Sequence, residues 1–133
     1  GISQLERADA GLARRREIAR RYDEAFAGTP VRTPEVAPGY GHAYHLYVIR
    51  VEDRKGLYDY LRENRIFAQV HYVPLNTMPY YRSHGSRAED CPVALEYYGH
   101  CLSLPMFPTL TDEEQEYVIG KVKEYVLNGR RGK

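Results

Sequence analysis

Among the residues able to do chemistry, His71 stands out by its setting. It alternates with Gln69 on one face of an extended run, and Pro74 and a long polar connection follow it. Ligand-binding side chains are often carried where a regular element gives way to a loop. An imidazole there can donate or accept a hydrogen bond, or move a proton. From spacing alone, a structural histidine and a ligand contact fit equally well. The remaining soft or titratable groups, His42, His45, His84, His100, Cys91 and Cys101, do not group as metal ligands. The chain has no C-x-x-C pair, and His42 falls in a glycine-rich loop while His45 falls in a predicted strand, so zinc-type spacing is missing. Cys91 and Cys101 flank a predicted helix and read as buried or incidental thiols. No Ser-His-Asp, G-x-S-x-G, P-loop or G-x-G-x-x-G pattern occurs. The cluster Arg14, Arg15, Arg16, Arg20 and Arg21 could meet phosphate, but acidic residues interleave with it, which favours a solvated or interdomain helix face.

The bulk composition narrows the classes. Nineteen Lys and Arg against eighteen Asp and Glu leave a formal charge of +1, so no whole-chain field draws the protein to nucleic acid or an anionic membrane. No apolar run approaches the roughly 20 residues that span a bilayer. With two cysteines and no signal-peptide pattern, the cytoplasm is the expected compartment. Thirteen tyrosines and no tryptophan are unusual, and many ring faces and hydroxyls must find partners in a core or at an interface.

The elements that must position these groups are read from periodicity and punctuation. From Ser3, Leu5, Ala8, Leu12, Ala19, Tyr22 and Phe26 recur at mostly helical spacing, ending at Gly28-Thr29-Pro30. A helix of this length beginning almost at residue 1, with a wide apolar stripe, is expected to connect to a preceding domain. Residues 31–43 form a proline- and glycine-rich loop, and Tyr44 to Val51 reads as a strand. Asp53 can cap a helix carrying Leu57, Tyr58 and Leu61 and closing near Asn64. Ile66 to Val73 alternates as a second strand, and a long loop runs from Pro74 to Glu89. Asp90 and Pro92 start a helix reaching about Gly99, and Cys101 to Phe107 is a short third strand or extended segment whose Pro105 points to an edge or strand-end position. Thr111 and Glu114 make a capping box for a last helix with Val118, Val122, Tyr125 and Val126, stopped by Asn128-Gly129. The expected fold is α+β, a small, mostly antiparallel sheet covered by helices on one side. The organisation is a connector helix over 1–28, a small C-terminal α+β domain over 29–129 and a short, mobile basic tail over 130–133.

The strings GISQL, RRREIARRYDEAF, AYHLYVIRV, LRENRIFAQVHYVPLNTMPYY and ALEYYGHCLSLPMFPTLTDEEQEYVIGKVKEY occur in an order and spacing that covers roughly residues 1–127. Together they resemble the C-terminal part of the DegT/DnrJ/EryC1/StrS aminotransferases, and in the VHYxP and PYY segments the pseudaminic-acid-pathway type. The resemblance implies a fold-type I pyridoxal-phosphate enzyme, a homodimer, that aminates a nucleotide-linked keto-deoxy-sugar with glutamate as donor, for a glycan, polysaccharide or antibiotic sugar. It also implies that the Schiff-base lysine lies in a preceding domain, since Lys55, Lys121, Lys123 and Lys133 match no such segment. This chain is therefore expected to bind no pyridoxal phosphate by itself, to be inactive by itself and to contain no catalytic residue. By the same resemblance His71, Tyr72 and Asn76 approach the nucleotide-sugar. Many relatives have a second histidine where this chain has Asn76, and asparagine cannot make a cationic contact to diphosphate. His45 and the Pro79-Tyr80-Tyr81 corner are also family-like, with a structural role expected for His45. Two other readings stay open: a pyridoxal- or pyridoxamine-phosphate sugar dehydratase of the same family, decided by a residue upstream, and a non-catalytic α+β binding module with a tyrosine-rich interface. The open apolar stripe of the first helix favours self-association over a monomeric module.

Overall fold

The computed structural model describes residues 5–129. The predicted helix start at Ser3 and the predicted tail 130–133 lie outside them. Helix α1 (Ala8–Phe26) forms where Ile18, Ala19, Tyr22 and Phe26 fall on one helical face, and all four are buried. It stops where Gly28 turns to a φ of 73° and the Thr29 hydroxyl donates to the Phe26 carbonyl at 2.7 Å. Only this carboxyl-terminal half enters the core. Leu5, on the same stripe, is exposed.

Strands β1 (Tyr47–Arg50) and β2 (Cys101–Leu104) pair antiparallel, Tyr47 opposite Leu104 and Arg50 opposite Cys101. Directly opposed residues share a face. Tyr47, Ile49, Leu102 and Leu104 therefore turn to the core, while Val48, Arg50, Cys101 and Ser103 occupy the other face. The expected strand from Tyr44 begins only at Tyr47, because Tyr44 takes a φ of 48°, which interrupts extended backbone. The expected strand over Ile66 to Val73 is also corrected. Its one ladder contact is an isolated bridge, Gln69 to Ser103, and the chain then leaves the sheet toward Pro74. The alternation still holds as far as Ala68, since Ile66 and Ala68 are buried and Phe67 and Gln69 are exposed. That bridge places β2 in the middle of three extended segments, so of the two positions expected from Pro105 it is the strand end, not the edge, that holds. Pro105 lies just beyond its end and so costs the ladder no hydrogen bond.

Helix α2 (Arg54–Glu63) starts as expected, the Asp53 carboxylate accepting from the Gly56 N–H at 2.9 Å, and it buries Leu57 and Leu61. The connection after Pro74 is a 3₁₀ turn (Leu75–Thr77), a short helix α3 (Pro79–Ser83) and a second turn (Ala88–Asp90). Helix α4 (Pro92–His100) begins at its proline. Asp90 does not cap it; its carboxylate instead accepts from the Arg87 N–H at 2.8 Å, closing the turn before. Helix α5 (Asp112–Asn128) has the expected capping box, Thr111 Oγ1 accepting from the Glu114 N–H at 3.1 Å and Glu114 from the Thr111 N–H at 2.9 Å. It ends at Gly129, φ 67°. α5 packs on both α1 and α2, and its Val118, Val122 and Tyr125 join the core. Each fully buried aliphatic side chain here contributes about 1.5–3 kcal/mol.

Arg14, Arg15 and Arg21 of the α1 cluster staple the chain to itself, whereas Arg16 and Arg20 are exposed, Arg20 pairing with Glu24 on the solvated face expected for the cluster. Arg15 donates to the carbonyls of Tyr44 (3.1 Å), His45 (3.4 Å) and Met106 (3.0 Å). Arg14 reaches the Leu110 carbonyl and Asp112, both at 2.7 Å, and Arg21 pairs with Asp112 and Glu116. A guanidinium with five N–H donors suits loop carbonyls that no ladder satisfies. Arg14 and Arg21 together hold the Asp112 carboxyl below its usual range, the hydrogen bond from Arg14 being the largest cause.

Candidate functional site

The site face is the side of the sheet away from the core. The double hydrogen bond of the Gln69–Ser103 bridge (3.0 and 2.7 Å) fixes the extended segment 66–71 alongside β2. Two residues on, His71 is on the same face as Gln69. Its Nδ1 lies 2.8 Å from the Ser103 hydroxyl oxygen, and its ring meets Tyr72 edge-on at a centroid distance of 4.6 Å. His71 is half-buried, whereas Tyr72 is 73% exposed.

His71 borders two open grooves. One, about 840 Å³, runs over Phe67, Gln69, Ser103, Met106, Phe107 and Tyr117. The other, about 800 Å³, is almost wholly apolar and lies between Tyr72, Val73 and Leu75 on one side and Pro92, Val93 and Tyr97 of α4 on the other. A surface on which a few polar side chains, His71 and Gln69 among them, meet apolar walls can orient a ligand by hydrogen bonding and cover its flat or apolar parts.

Asn76 is half-buried and does not line either groove. Both N–H groups of its amide are engaged, with the Arg87 carbonyl at 2.9 Å and the Ala88 carbonyl at 3.0 Å, so it ties the first turn of the connection to the last. Of the three residues expected at the site, His71 and Tyr72 therefore come together, while Asn76 holds the loop behind them. Its carbonyl oxygen is the atom that remains for a ligand. His45 is exposed, and its backbone carbonyl accepts from Arg15 at 3.4 Å. Tyr80 and Tyr81 of the α3 corner pack edge-on at 5.4 Å.

Three contributors were not evident from the sequence. Ser103 is polar and 4% exposed within the apolar run CLSL, which was its only signal. Val93 and Tyr97 form the far wall of the apolar groove, four residues apart on α4. Cys101 lies close by, its sulfur 4.0 Å from the His71 carbonyl oxygen. Burial pushes its thiol above the ordinary range, and it faces backbone rather than the imidazole, so the pair is no Cys–His nucleophile. Cys91 is exposed at the start of α4.

The lysines answer whether a pyridoxal-phosphate site could be assembled from these residues. Lys55 pairs with Asp59 on α2 at 2.7 Å, Lys121 pairs with Glu124 on α5 at 2.9 Å near the rings of Tyr60 and Tyr117, and Lys123 is also on α5. None of them borders the grooves beside His71. The described residues thus do not by themselves fit the cofactor. Among them, too, no three His, Cys, Asp or Glu side chains are grouped to hold a metal, and no helix is long and apolar enough to cross a membrane.

The model of the DegT/DnrJ/EryC1/StrS aminotransferase family matches residues 1–123. The spore coat polysaccharide biosynthesis protein SpsC of Bacillus subtilis is 38% identical over 95% of this chain and 35% of its own length. The dTDP-3-amino-3,6-dideoxy-alpha-D-galactopyranose transaminase of Aneurinibacillus thermoaerophilus is 32% identical over 92% of this chain and 33% of its own. Among solved structures, the PMP-form of Streptococcus pneumoniae Spr1654 superposes with a TM-score of 0.92 at 30% identity, covering 97% of this chain and 34% of that one. Helicobacter pylori PseC, an aminotransferase involved in the biosynthesis of pseudoaminic acid, superposes at 0.84 with 27% identity, covering 96% and 36%. The chain spans about a third of the length of the relatives it matches.

Proposed function

The chain belongs to the DegT/DnrJ/EryC1/StrS aminotransferase family, and on that premise we propose that it is the C-terminal part of a cytoplasmic, homodimeric, pyridoxal-phosphate-dependent enzyme that aminates a nucleotide-linked keto-deoxy-sugar, with glutamate as donor. The observation that carries this reading is the family match over nearly the whole chain. The names of the matched relatives, a dTDP-sugar transaminase and a polysaccharide biosynthesis protein among them, support the substrate class.

In this reading residues 1–28 connect to the preceding domain and residues 29–129 supply one wall of the sugar cleft. His71 offers a ring nitrogen to an oxygen of the nucleotide-sugar. Tyr72, with most of its ring in the open, covers a flat or apolar part of it. Asn76 fixes the connection behind them, and since both its N–H groups are engaged, any contact it makes is through its carbonyl oxygen, to a sugar hydroxyl rather than to phosphate. The cofactor, bound in the intact protein, supplies the electron sink for amino transfer. With its lysines away from His71, this chain by itself transfers no amino group.

The test is to supply the full-length protein with pyridoxal phosphate, glutamate and a nucleotide-linked 4-keto-6-deoxy-hexose, and to follow the amino-sugar by mass spectrometry. Glutamate-dependent amination by the full-length protein is expected, and none by residues 1–133 alone. Amination by this chain alone, or a cofactor absorbance band on it that survives dialysis and is lost on borohydride reduction, would overturn the reading.

A further inference from the structure

We propose that Ser103 is a positioning residue that holds the His71 imidazole in the tautomer protonated on Nε2, so that the ring presents an N–H donor to an oxygen acceptor of the substrate. The proposal rests on the reading of His71 as a substrate contact. Its evidence is the hydrogen-bond accounting around one buried hydroxyl.

Ser103 is 4% exposed, and among the described residues its hydroxyl makes one hydrogen bond, to His71 Nδ1 at 2.8 Å. Two proton arrangements fit that distance. If His71 Nδ1–H donates to the serine oxygen, the serine proton is left without an acceptor among the described residues, which costs free energy at a hydroxyl with little access to water. With the Ser103 hydroxyl donating to an unprotonated Nδ1, both groups are satisfied. The ring proton then sits on Nε2, on the side of the ring away from Ser103. The second arrangement wins on this difference alone, since His71 borders both open grooves, where Nε2 can meet water or ligand in either state.

The framework holds this geometry rigidly. The paired backbone hydrogen bonds between Gln69 and Ser103 lock the two segments in register, and in an extended segment residues two apart share a face, which brings the His71 ring beside β2. The His71 ring also meets the Tyr72 ring edge-on. A neutral N–H donor fits hydroxyl, carbonyl and phosphate oxygens, and discriminates against a substrate that offers only another donor at that point.

The full-length protein labelled with ¹⁵N-histidine tests this at about pH 8, where an ordinary histidine is neutral. A long-range ¹H–¹⁵N correlation reports which ring nitrogen carries the proton, the His71 signals being assigned by their loss in His71→Gln. The expected result is an unprotonated Nδ1 and a protonated Nε2 without any substrate present, a change of tautomer population in Ser103→Ala, and its retention in Ser103→Thr, which keeps the hydroxyl. In steady-state amination Ser103→Ala should raise KM for the nucleotide-sugar about ten-fold with kcat within about two-fold, and Ser103→Thr should restore KM, the change being that expected for one hydrogen bond. A protonated Nδ1 in the unaltered protein, or a tautomer indifferent to Ser103→Ala, overturns the positioning role whatever the substrate. A tautomer that responds while KM does not overturns the reading of His71 as a substrate contact, and with it the donor role.

Discussion

The α1–α2–α5 core and the segment from His71 to Tyr98 use the same amino acid in opposite ways. In the core, Tyr22, Tyr47 and Tyr125 are buried, and each hydroxyl is satisfied, by the Pro105 carbonyl at 3.0 Å, Asp23 at 2.6 Å and Asp53 at 2.5 Å. Burial raises the Tyr22 and Tyr47 phenols above their ordinary value, and the bond to Asp23 adds to this for Tyr47. They stay neutral donors throughout the stable range. In the outer segment Tyr72 and Tyr80 are 73% and 68% exposed and Val93 is 77% exposed, so their apolar surface gives the isolated chain little stability. The same ring thus acts as mortar in one region and as free surface in the other. What separates the two roles is whether the fold brings an acceptor to the hydroxyl and neighbours to the ring.

Substitutions can break that contrast or sharpen it. The largest effect is expected at Tyr22, which packs against Phe26 and Tyr47 at centroid distances of 5.8 and 4.8 Å. Tyr22→Ala should cost about 3–5 kcal/mol in denaturant unfolding, through the cavity and the unpaired Pro105 carbonyl. Next comes Gly56→Ala. Within a helix alanine is normally favoured over glycine by about 1 kcal/mol, but a Cβ here would overlap the Tyr125 hydroxyl and the Asp53 carboxylate that caps α2. A loss of about 1–3 kcal/mol is expected, with the sign reversed from the helix-propensity rule. By contrast, Tyr72→Ala should leave unfolding stability within about 0.5 kcal/mol while raising KM of the full-length enzyme, and a large stability loss there would erase the contrast. The smallest effect is at Asp112. Its carboxyl is lowered in the fold, so its contribution is present above the unfolded value near about 3.9 and is lost as pH falls toward the folded one. Asp112→Asn should flatten the acid limb of a stability-against-pH curve below about pH 4 and change its shape little above about pH 6.

Much of the core was legible because its signals are local. Asp53, the Thr111–Glu114 box, Gly28 and Gly129 mark helix ends by chemistry within four residues, and Ile18-type spacing in α1 and α5 marks their inner faces. What could not be read depended on partners distant in sequence. Ile66 to Val73 alternates like a strand, yet a strand needs a neighbour along its length, and only Gln69 finds one before Pro74 leads the chain away. Arg15 looked like one charge among five, but its role is set by carbonyls 29 to 91 residues away. At the site, His71 and Tyr72 were named from their segment, whereas Ser103, 32 residues on, enters only through the bridge that brings β2 beside them. Asn76 is expected at the site only through the family resemblance of its segment. That both its N–H groups would close a loop required knowing where Arg87 and Ala88 return.

The most direct test of the central claim, that the His71–Tyr72 face is a sugar-facing wall, is a crystal structure of the full-length protein with its nucleotide-linked amino-sugar product bound. A sugar or phosphate oxygen within about 3 Å of His71 Nε2, with Tyr72 against the ligand, is the predicted result. A product bound elsewhere, with His71 and Tyr72 sealed beneath another part of the protein, would contradict it.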